Sequence, residues 1–336
     1  MRSKLFVPGS RHELFAKALA GPADAISIDL EDAVAGDRKT EARAIVREWL
    51  RSGTRSQGKL VLRKFLHHKL AMASTAVLVL IILLSIILPI FWKHSYEDSS
   101  FPSFAKPNGD FPLGTTQVGK DMVSQILRGT QFSLLIALTV SILSTVVGVV
   151  LGALAGYLRR FTDSAVSRVT DLFLIIPQIA AAAILAKVFG SGSWYIVALV
   201  LAAFGWMQIA RITRAEAMSL SQREFVDAAR ASGAGTFRII FKHLVPNMVG
   251  SITVNATLAV AQAVLAEAAL SFIGLGVQLP DTSLGRVILE NYAQLQTRPA
   301  LFFGPFIVLV LISLTINFIG DGLRDAFDPR QRRMKA

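Results

Sequence analysis

The sequence has no cysteine and few charged residues. Without cysteine the chain can form no disulfide, thiolate metal site or cysteine nucleophile. Charged residues make up 17% of its 336 residues, against about 25% in an ordinary soluble domain. Its five histidines form no spaced cluster of ligands. The first residues contain no apolar segment long enough for a secretory signal peptide, so the first long apolar run is expected to be the first membrane span.

Apolar residues make up 53% of the chain and are gathered in long runs with few charges, which is typical of a helical protein that crosses a membrane several times. We predict an all-α polytopic membrane protein with about six transmembrane helices. The predicted spans are residues 71–92, 130–158, 166–189, 194–212, 246–275 and 301–319. Pro177 is expected to kink the third span. Gly148, Gly152 and Gly156 recur at intervals of four in the second span, which predicts close packing against another helix.

The loops between these spans differ in charge. The stretch before the first span, residues 159–168, residues 211–242 and the tail are basic, whereas residues 93–129 and 276–300 have fewer Lys and Arg. Because basic loops stay in the cytoplasm, both termini are predicted to be cytoplasmic. The same rule explains the net charge of +12 without nucleic-acid binding.

Residues 1–55 differ in kind from the rest of the chain. Short strands are expected at Lys4–Val7 and Ala25–Asp29, each followed by a helical pattern. Ser10 and Glu13 form a capping box for the first helix. Asp37 can cap the second helix, which Gly53 is expected to end. The segment predicts a small soluble βαβα appendage, followed by a basic interfacial lead-in over residues 56–70.

Three parts of this appendage resemble the start of the citrate lyase beta-subunit and HpcH/HpaI aldolase family, namely RSKLFVPGSR, ADAISIDLEDAV and RKTEARAIV. The resemblance implies about two βα units of an eightfold barrel. Asp29, Glu31 and Asp32 are the carboxylates of the IDLED part of the matching motif. Family members take further acidic metal ligands from later strands, so these three carboxylates alone are not expected to build a Mg²⁺ lyase site.

The stretch Gly114–Asp121, GTTQVGKD, nearly matches the phosphate-binding P-loop pattern. Asp121 replaces the Ser or Thr that holds Mg²⁺, no buried strand precedes the stretch, and the stretch lies on the predicted outer face. We therefore expect no nucleotide site and no cofactor in this chain.

A polar interruption separates the fourth and fifth spans and reads EFVDAARASGAGTFRIIFKHLVP, from Glu224 to Pro246. Helical spacing up to Arg230, a break at Gly233 and a second helical part predict a short element lying across the membrane surface. Small Ala228 and Ala229 would let a partner surface approach closely. Charged side chains could fix its orientation through ion pairs, and these are Glu224, Asp227, Arg230 and Arg238. The alternative is an ordinary solvated loop.

Asp227-Ala228-Ala229, Gly233 and Val245-Pro246 resemble the EAA loop of ABC-importer permeases. Asp227 stands where the family usually has Glu, and His243 replaces an aliphatic residue. Three flanking segments resemble the C-type permease subunit of the dipeptide, oligopeptide and nickel importers, namely FPLGTTQVGKDMVSQILRGTQFSL, EAALSFIGLGVQLPDTSLGRVI and DGLRDAFDPR.

This resemblance implies the type I ABC-importer permease architecture in a bacterial-type inner membrane. It also implies a heterodimer with a second permease, two cytoplasmic ATPase subunits that bind ATP and Mg²⁺, and an external solute-binding protein. The chain itself would have no catalytic residue. The residues expected to couple to the ATPase are Glu224, Asp227, Ala228, Ala229, Arg230, Gly233, Arg238, His243 and Pro246. The solute, whether dipeptide, oligopeptide, nickel or another, stays open.

The fifth span contains several polar residues. Thr253, Asn255, Thr257 and Gln262 could line a translocation path or join helices, and the path is favoured because a hydrated cavity tolerates so many in one helix. Glu267 lies in the apolar run and is interpreted either as a path residue or as a helix-packing hydrogen bond. Two rival functions follow: an ion-coupled secondary transporter that uses Glu267, and a lyase anchored by its membrane tail.

Overall fold

The computed structural model describes residues 4–8, 13–15, 25–29, 34–35, 38–190 and 192–328. The chain divides into two compact units, residues 1–64 and residues 65–336. Strand β1 (Lys4–Pro8) and strand β2 (Ala25–Asp29) belong to the first unit and pair in parallel, with Lys4 opposite Ala25. Both predicted strands are therefore confirmed. Buried Val7, Phe15 and Val46 form the small apolar cluster of this unit.

Helix α1 runs from Lys39 to His67. The prediction that Gly53 ends this helix is wrong. A glycine inside a helix costs only about 0.5–1 kcal/mol relative to alanine, and no proline follows it before His67 to stop the helix. Ser10, Glu31, Asp32 and Asp37 lie outside the described residues.

The second unit is helical. Its helices are α2 (Lys69–Phe91), α3 (Met122–Leu158), α4 (Arg160–Ile175), α5 (Gln178–Phe189), α6 (Trp194–Leu220), α7 (Glu224–Ala231), α8 (Val249–Phe272), α9 (Leu284–Asn291) and α10 (Pro299–Phe327). Within the described residues, 5 of them are long and apolar enough to cross a membrane, namely α2, α3, α6, α8 and α10. The all-α polytopic membrane fold is thus confirmed.

The third predicted span is two helices rather than one kinked helix. Helices α4 and α5 meet at an angle of 90°, and they give a sixth span if the bent pair is counted as one. The break falls at Ile176, whose backbone is extended, and at Pro177, which precedes the first residue of α5. Proline removes a backbone donor and disfavours helix at the residue before it, so the chain leaves the helix at this step.

Several helix ends lie outside the predicted spans. Helix α3 begins at Met122 rather than at residue 130, because Asp121 caps it by accepting a 2.9 Å hydrogen bond from the Ser124 backbone N–H. Helix α6 continues to Leu220 and α10 to Phe327. Apolarity predicted the membrane-embedded parts, whereas the polar ends of these helices carry no such signal.

Helix α3 lies at the centre of the unit and packs against α2, α6 and α8, and α8 packs in turn against α10. Its glycines face α6. A Cβ on Gly152 would lie 2.4 Å from the Ala210 carbonyl oxygen, and one on Gly148 would lie 2.7 Å from the Trp206 carbonyl oxygen. Only glycine permits this approach, so the predicted close packing is confirmed.

Candidate functional site

Helix α7 begins the segment that the sequence singled out between α6 and α8. Its first turn carries Glu224 and Asp227 and its last turn carries Arg230. Negative charge near the start of a helix and positive charge near its end both complement the helix dipole. The sequence of the segment therefore favours a helix even though it is short and polar.

A single apolar side chain anchors α7. Val226 is fully buried in a cluster with Ala153 of α3, Ala217 of α6, and Leu244 and Met248 further along the chain. Ala229 is half-buried and packs against the same cluster, whereas Ala228 is exposed. Helix α7 is therefore a packed element seated on the ends of α3 and α6, and the alternative of an ordinary solvated loop is wrong.

Gly233 ends α7 in a left-handed conformation with φ +76°. The Gly233 N–H donates to the Arg230 carbonyl at 2.9 Å, and the Ala234 N–H donates to the Ala229 carbonyl at 3.0 Å. These bonds satisfy carbonyls that the helix end would leave unpaired. A Cβ at position 233 would meet no heavy atom within 4 Å, so the backbone conformation, and not space, requires glycine here.

Arg230 connects α7 to the end of α3. Its Nε donates to the Tyr157 hydroxyl at 3.3 Å, its guanidinium lies 5.2 Å from the centre of the Tyr157 ring, and its Nη1 donates to Asp227 at 3.1 Å. The hydrogen bond to Tyr157, together with the charge of Asp227, raises the pKa of the Arg230 guanidinium further above its usual range. Sequence reasoning missed Tyr157, because no local pattern shows that the end of α3 meets α7.

The solvent-exposed surface of the segment carries both charged and aromatic side chains. Phe237 is 70% exposed and Phe241 44% exposed, and their rings stack with centroids 6.3 Å apart. Glu224, Asp227 and Arg238 are also exposed. Sequence reasoning missed the two phenylalanines, although aromatic residues four apart on one helix face were a readable signal.

A π-helical turn, Ile239–Leu244, connects this surface to the next span. Ile239, Ile240 and Leu244 are buried, His243 is half-buried, and the exposed Pro246 follows in the short helix Val245–Asn247. Single π-helical turns are frequent at functional sites. The fifth span therefore starts at Val249, not at residue 246 as predicted, and its last predicted residues, 273–275, lie beyond Phe272.

A second connection joins α6 to α8 next to this segment. The Ser251 hydroxyl of α8 donates to the carboxylate of Glu216 on α6. Glu216 is thus a residue that sequence reasoning missed, since its partner is 35 residues away. The bond thus gives α6 and α8 a direct contact besides the chain segment that joins them.

The polar residues of α8 fall into two groups. The side chains of Thr253, Asn255 and Thr257 donate to carbonyls of their own helix, those of Val249, Ser251 and Thr253, at 2.7–2.9 Å. Gln262 is exposed and lines a cavity of about 100 Å³ between α3, α6, α8 and the break before α5. The structure thus places Gln262 on a cavity.

Glu267 is fully buried and does not line this cavity. Its carboxylate accepts hydrogen bonds from Ser133 of α3 at 2.9 Å and from Ser271 of α8 at 2.6 Å. The Ser271 hydroxyl lies 3.1 Å from that of Ser283, which caps α9, and the Leu284 N–H donates to Ser133 at 3.1 Å. Of the two interpretations of Glu267, this geometry favours the helix-packing bond.

The P-loop-like stretch has a structural role. Asp121 caps α3 and accepts a 2.7 Å hydrogen bond from the Trp92 indole, so its carboxylate makes structural hydrogen bonds. Gly114 and Gly119 adopt positive φ in the preceding turns. Within the part of the chain that the structure describes, no group of three or more His, Asp or Glu side chains could hold a metal ion.

A bundle of apolar helices with a packed surface segment between two of them defines a polytopic membrane protein. The chain belongs to the family described as binding-protein-dependent transport system inner membrane component, whose model matches residues 148–333. A second model, the N-terminal TM domain of oligopeptide transport permease C, matches residues 56–107. The predicted resemblance to an ABC-importer permease is therefore confirmed.

Relatives with high similarity have peptide-transport names. The chain is 40% identical over 282 residues to the oligopeptide transport system permease protein OppC of Mycobacterium tuberculosis strain H37Rv, covering 83% of this chain and 97% of the relative. It is 34% identical over 271 residues to OppC of Bacillus subtilis strain 168, covering 80% and 88%. It is 37% identical over 270 residues to a putative peptide permease protein of Brucella suis, covering 80% and 89%.

A solved structure shares the fold. A chain of the MetNI methionine ABC transporter in an inward-facing conformation superposes with a TM-score of 0.51 at 21% identity, covering 62% of this chain and 98% of that chain. The likeness supports the type I importer permease architecture.

These matches establish a multi-pass membrane permease that is not an enzyme. They do not favour the secondary transporter or the anchored lyase. Neither family-model match includes residues before 56, so the lyase-like resemblance of residues 1–55 stays a prediction.

Proposed function

We propose that the chain is the transmembrane subunit of an ATP-driven oligopeptide importer and works as a heterodimer with a second permease. Two ATPase subunits in the cytoplasm and an external solute-binding protein complete the complex. The oligopeptide names of relatives at 34–40% identity support the solute class. The packing of α7 on the ends of α3 and α6 is the structural observation that carries the mechanism.

The basic loops support an orientation with both termini in the cytoplasm. In that orientation the segment from Glu224 to Pro246 faces the ATPase subunits. Its exposed charges and its two stacked phenylalanines form a surface of the kind that docks a protein, with apolar contact at the centre and ion pairs at the rim. We propose that Glu224, Asp227, Ala228 and Arg238 contact the ATPase, and that Ala229, Arg230, Gly233, His243 and Pro246 hold the segment in shape.

Movement of the ATPase subunits would reach the membrane helices through rigid contacts. Val226 and Arg230 connect α7 to α3 and α6, so a push on α7 displaces the ends of both helices. The bond between Glu216 and Ser251 and the π-helical turn pass the same displacement to α8. Tilting of these helices would switch the path between the two sides of the membrane. Gln262 would line that path, with Asn255 and Thr257 on the same helix and Glu267 holding the helix in place.

Gly233 offers a test with a matched control. Replacing Gly233 by leucine puts a bulky side chain at φ +76°, which costs roughly 1–2 kcal/mol and distorts the end of α7. Gly235 also has open space around its Cβ position, but its φ is −71°. In a source strain whose own copy is deleted, we expect Gly233→Leu to abolish peptide uptake, while Gly235→Leu and Gly233→Asn retain most of it, since asparagine tolerates the left-handed conformation.

Membrane insertion is measured on the same cells, and all three variants should be present at the wild-type level. Normal uptake by Gly233→Leu would contradict the coupling role of the segment. An equal loss of peptide uptake in Gly233→Leu and Gly235→Leu would show that any bulky residue there is harmful and that the left-handed turn at Gly233 has no special role.

A further inference from the structure

Three glutamines of the membrane unit lie near one another. Gln208 lies near the middle of α6, Gln262 near the middle of α8, and Gln178 begins α5 at the break of the bent pair. All three are exposed and line the same cavity of about 100 Å³, together with the Ser144 side chain of α3. Four helices, α3, α5, α6 and α8, thus each place one polar side chain on this cavity.

None of the three amides hydrogen-bonds to another group in the described part of the chain. This contrasts with Asn255 and Thr257 of α8, which bond back to their own helix. An amide transferred to an apolar medium without a partner costs about 4–8 kcal/mol. Three such amides on one face would not be left against lipid, so the face opens to water, to another protein chain or to a solute.

The break before α5 adds further donors to the same place. Pro177 precedes α5 without providing a side-chain cap, so the first N–H groups of α5 beside Gln178 lack the partners that a helix interior supplies. Interrupted helices at mid-membrane depth recur where transporters bind their solutes. None of the residues that line the cavity is charged.

We propose that Gln178, Gln208 and Gln262, with Ser144, form a binding site for the backbone of a peptide in transit, an inference that rests on the proposed function. A glutamine amide both donates and accepts hydrogen bonds, as a peptide group does, so it pairs with backbone N–H and C=O groups whatever the side chains are. A neutral site also binds peptides of either net charge. A cavity of this size holds a short piece of backbone rather than a whole oligopeptide.

The test uses the full complex in a source strain whose own copy of this gene is deleted. Labelled trialanine serves as the probe, and trialanine methylated on its backbone nitrogens serves as a probe that lacks N–H donors. For the double variant Gln208→Leu/Gln262→Leu we expect about tenfold lower trialanine uptake, because two backbone partners are lost. The wild type should prefer trialanine over the methylated probe, and the double variant should lose that preference.

Two controls separate a binding defect from misfolding. Thr139→Val removes a polar group from α3 whose hydroxyl bonds only to its own helix, at Leu135, and it should leave uptake unchanged. The double variant Gln208→Asn/Gln262→Asn keeps the amides and should recover part of the uptake. Each variant is also assayed for its level in the membrane and for ATP hydrolysis stimulated by the binding protein, which should match the wild type.

The outcomes distinguish the two levels of the proposal. If the wild-type complex takes up no peptide, the proposed function itself is wrong. If the wild type takes up trialanine and the leucine double variant does so equally well with the same preference, the peptide-backbone site is wrong and the proposed function stands. If both double variants show a lower membrane level together with lower uptake, the amides serve packing and the proposed binding site is likewise wrong.

Discussion

The buried carboxylate of Glu267 shows how one residue can hold three helices together. It accepts hydrogen bonds from Ser133 on α3 and Ser271 on α8, and Ser271 and Ser133 in turn contact the start of α9. Helix α9 lies in the loop of residues 276–300 on the predicted outer side, and these hydrogen bonds fix it to the membrane core. This network explains how an acid is tolerated inside an apolar span.

Replacing Glu267 by alanine should destabilise the protein, since it leaves the buried hydroxyls of Ser133 and Ser271 without their acceptor. We expect a loss of about 1–3 kcal/mol, seen as a lower midpoint of thermal unfolding for the purified complex in detergent. Glu290→Ala is the control, because the Glu290 side chain is exposed and its partner Arg286 keeps two other acceptors, the Val277 carbonyl and the Gln278 side chain. Glu267→Gln should keep most of the stability and the peptide uptake.

A different result for Glu267→Gln would revive the path interpretation. If that variant has wild-type thermal stability but takes up no peptide, Glu267 acts in transport and the packing account of it is wrong.

Residue roles were predictable from the sequence only where a local pattern required them. The turn at Gly233 followed from a glycine after a helical run. The contacts of Arg230 with Tyr157 and of Glu216 with Ser251 join residues 73 and 35 positions apart, so they depend on how helices meet in space. The spacing of Phe237 and Phe241, four residues apart, was readable from the sequence, but their exposure was not, since an aromatic residue in a polar segment is as readily buried.

The packing of α3 against α6 depends on a row of glycines at the element scale. Gly148, Gly152 and Gly156 each lie so close to α6 that an added Cβ would be 2.4–2.7 Å from a backbone oxygen. Helix α7 packs on the ends of these two helices, so this contact positions α7 as well as the membrane core.

Gly152→Val should therefore weaken the fold and lower uptake together. An added side chain that must push a backbone apart costs typically about 1–3 kcal/mol. Gly109→Val is the control, because nothing lies within 4 Å of a Cβ at that position. We expect the first variant alone to show a reduced membrane level and a lower unfolding midpoint, and equal values for the two variants would contradict the close contact.

The existence and order of the spans were predictable from apolar runs, and the glycine spacing predicted the close contact. The break between α4 and α5 was expected only as a kink, because proline spacing does not give the size of a bend. The π-helical turn before α8 had no readable sign, since its residues also suit an ordinary helix. Helix α1 continues through Gly53 because a single glycine is a weak stop signal.

The chain is the membrane component of a transport system whose energy source we propose to lie in separate ATPase subunits. The family is one of inner membrane components of binding-protein-dependent transport systems, and the segment that begins with α7 packs on the ends of α3 and α6. The central claim is that this segment meets an ATPase on the cytoplasmic side. The residues that contact the partner subunits could be proposed from the sequence, but their partners lie outside it.

The most direct test uses the absence of cysteine from the chain. A cysteine introduced by Ala228→Cys is its only thiol and is exposed on α7, so a benzophenone maleimide attached there reports which protein lies against the segment. Asn108→Cys, exposed in the loop of the predicted outer side, is the matched position. After illumination of the intact complex, the account predicts an adduct between position 228 and the ATPase subunit, and none between position 108 and that subunit. An ATPase adduct from position 108, or none from position 228 in a complex that still takes up peptide, would contradict it.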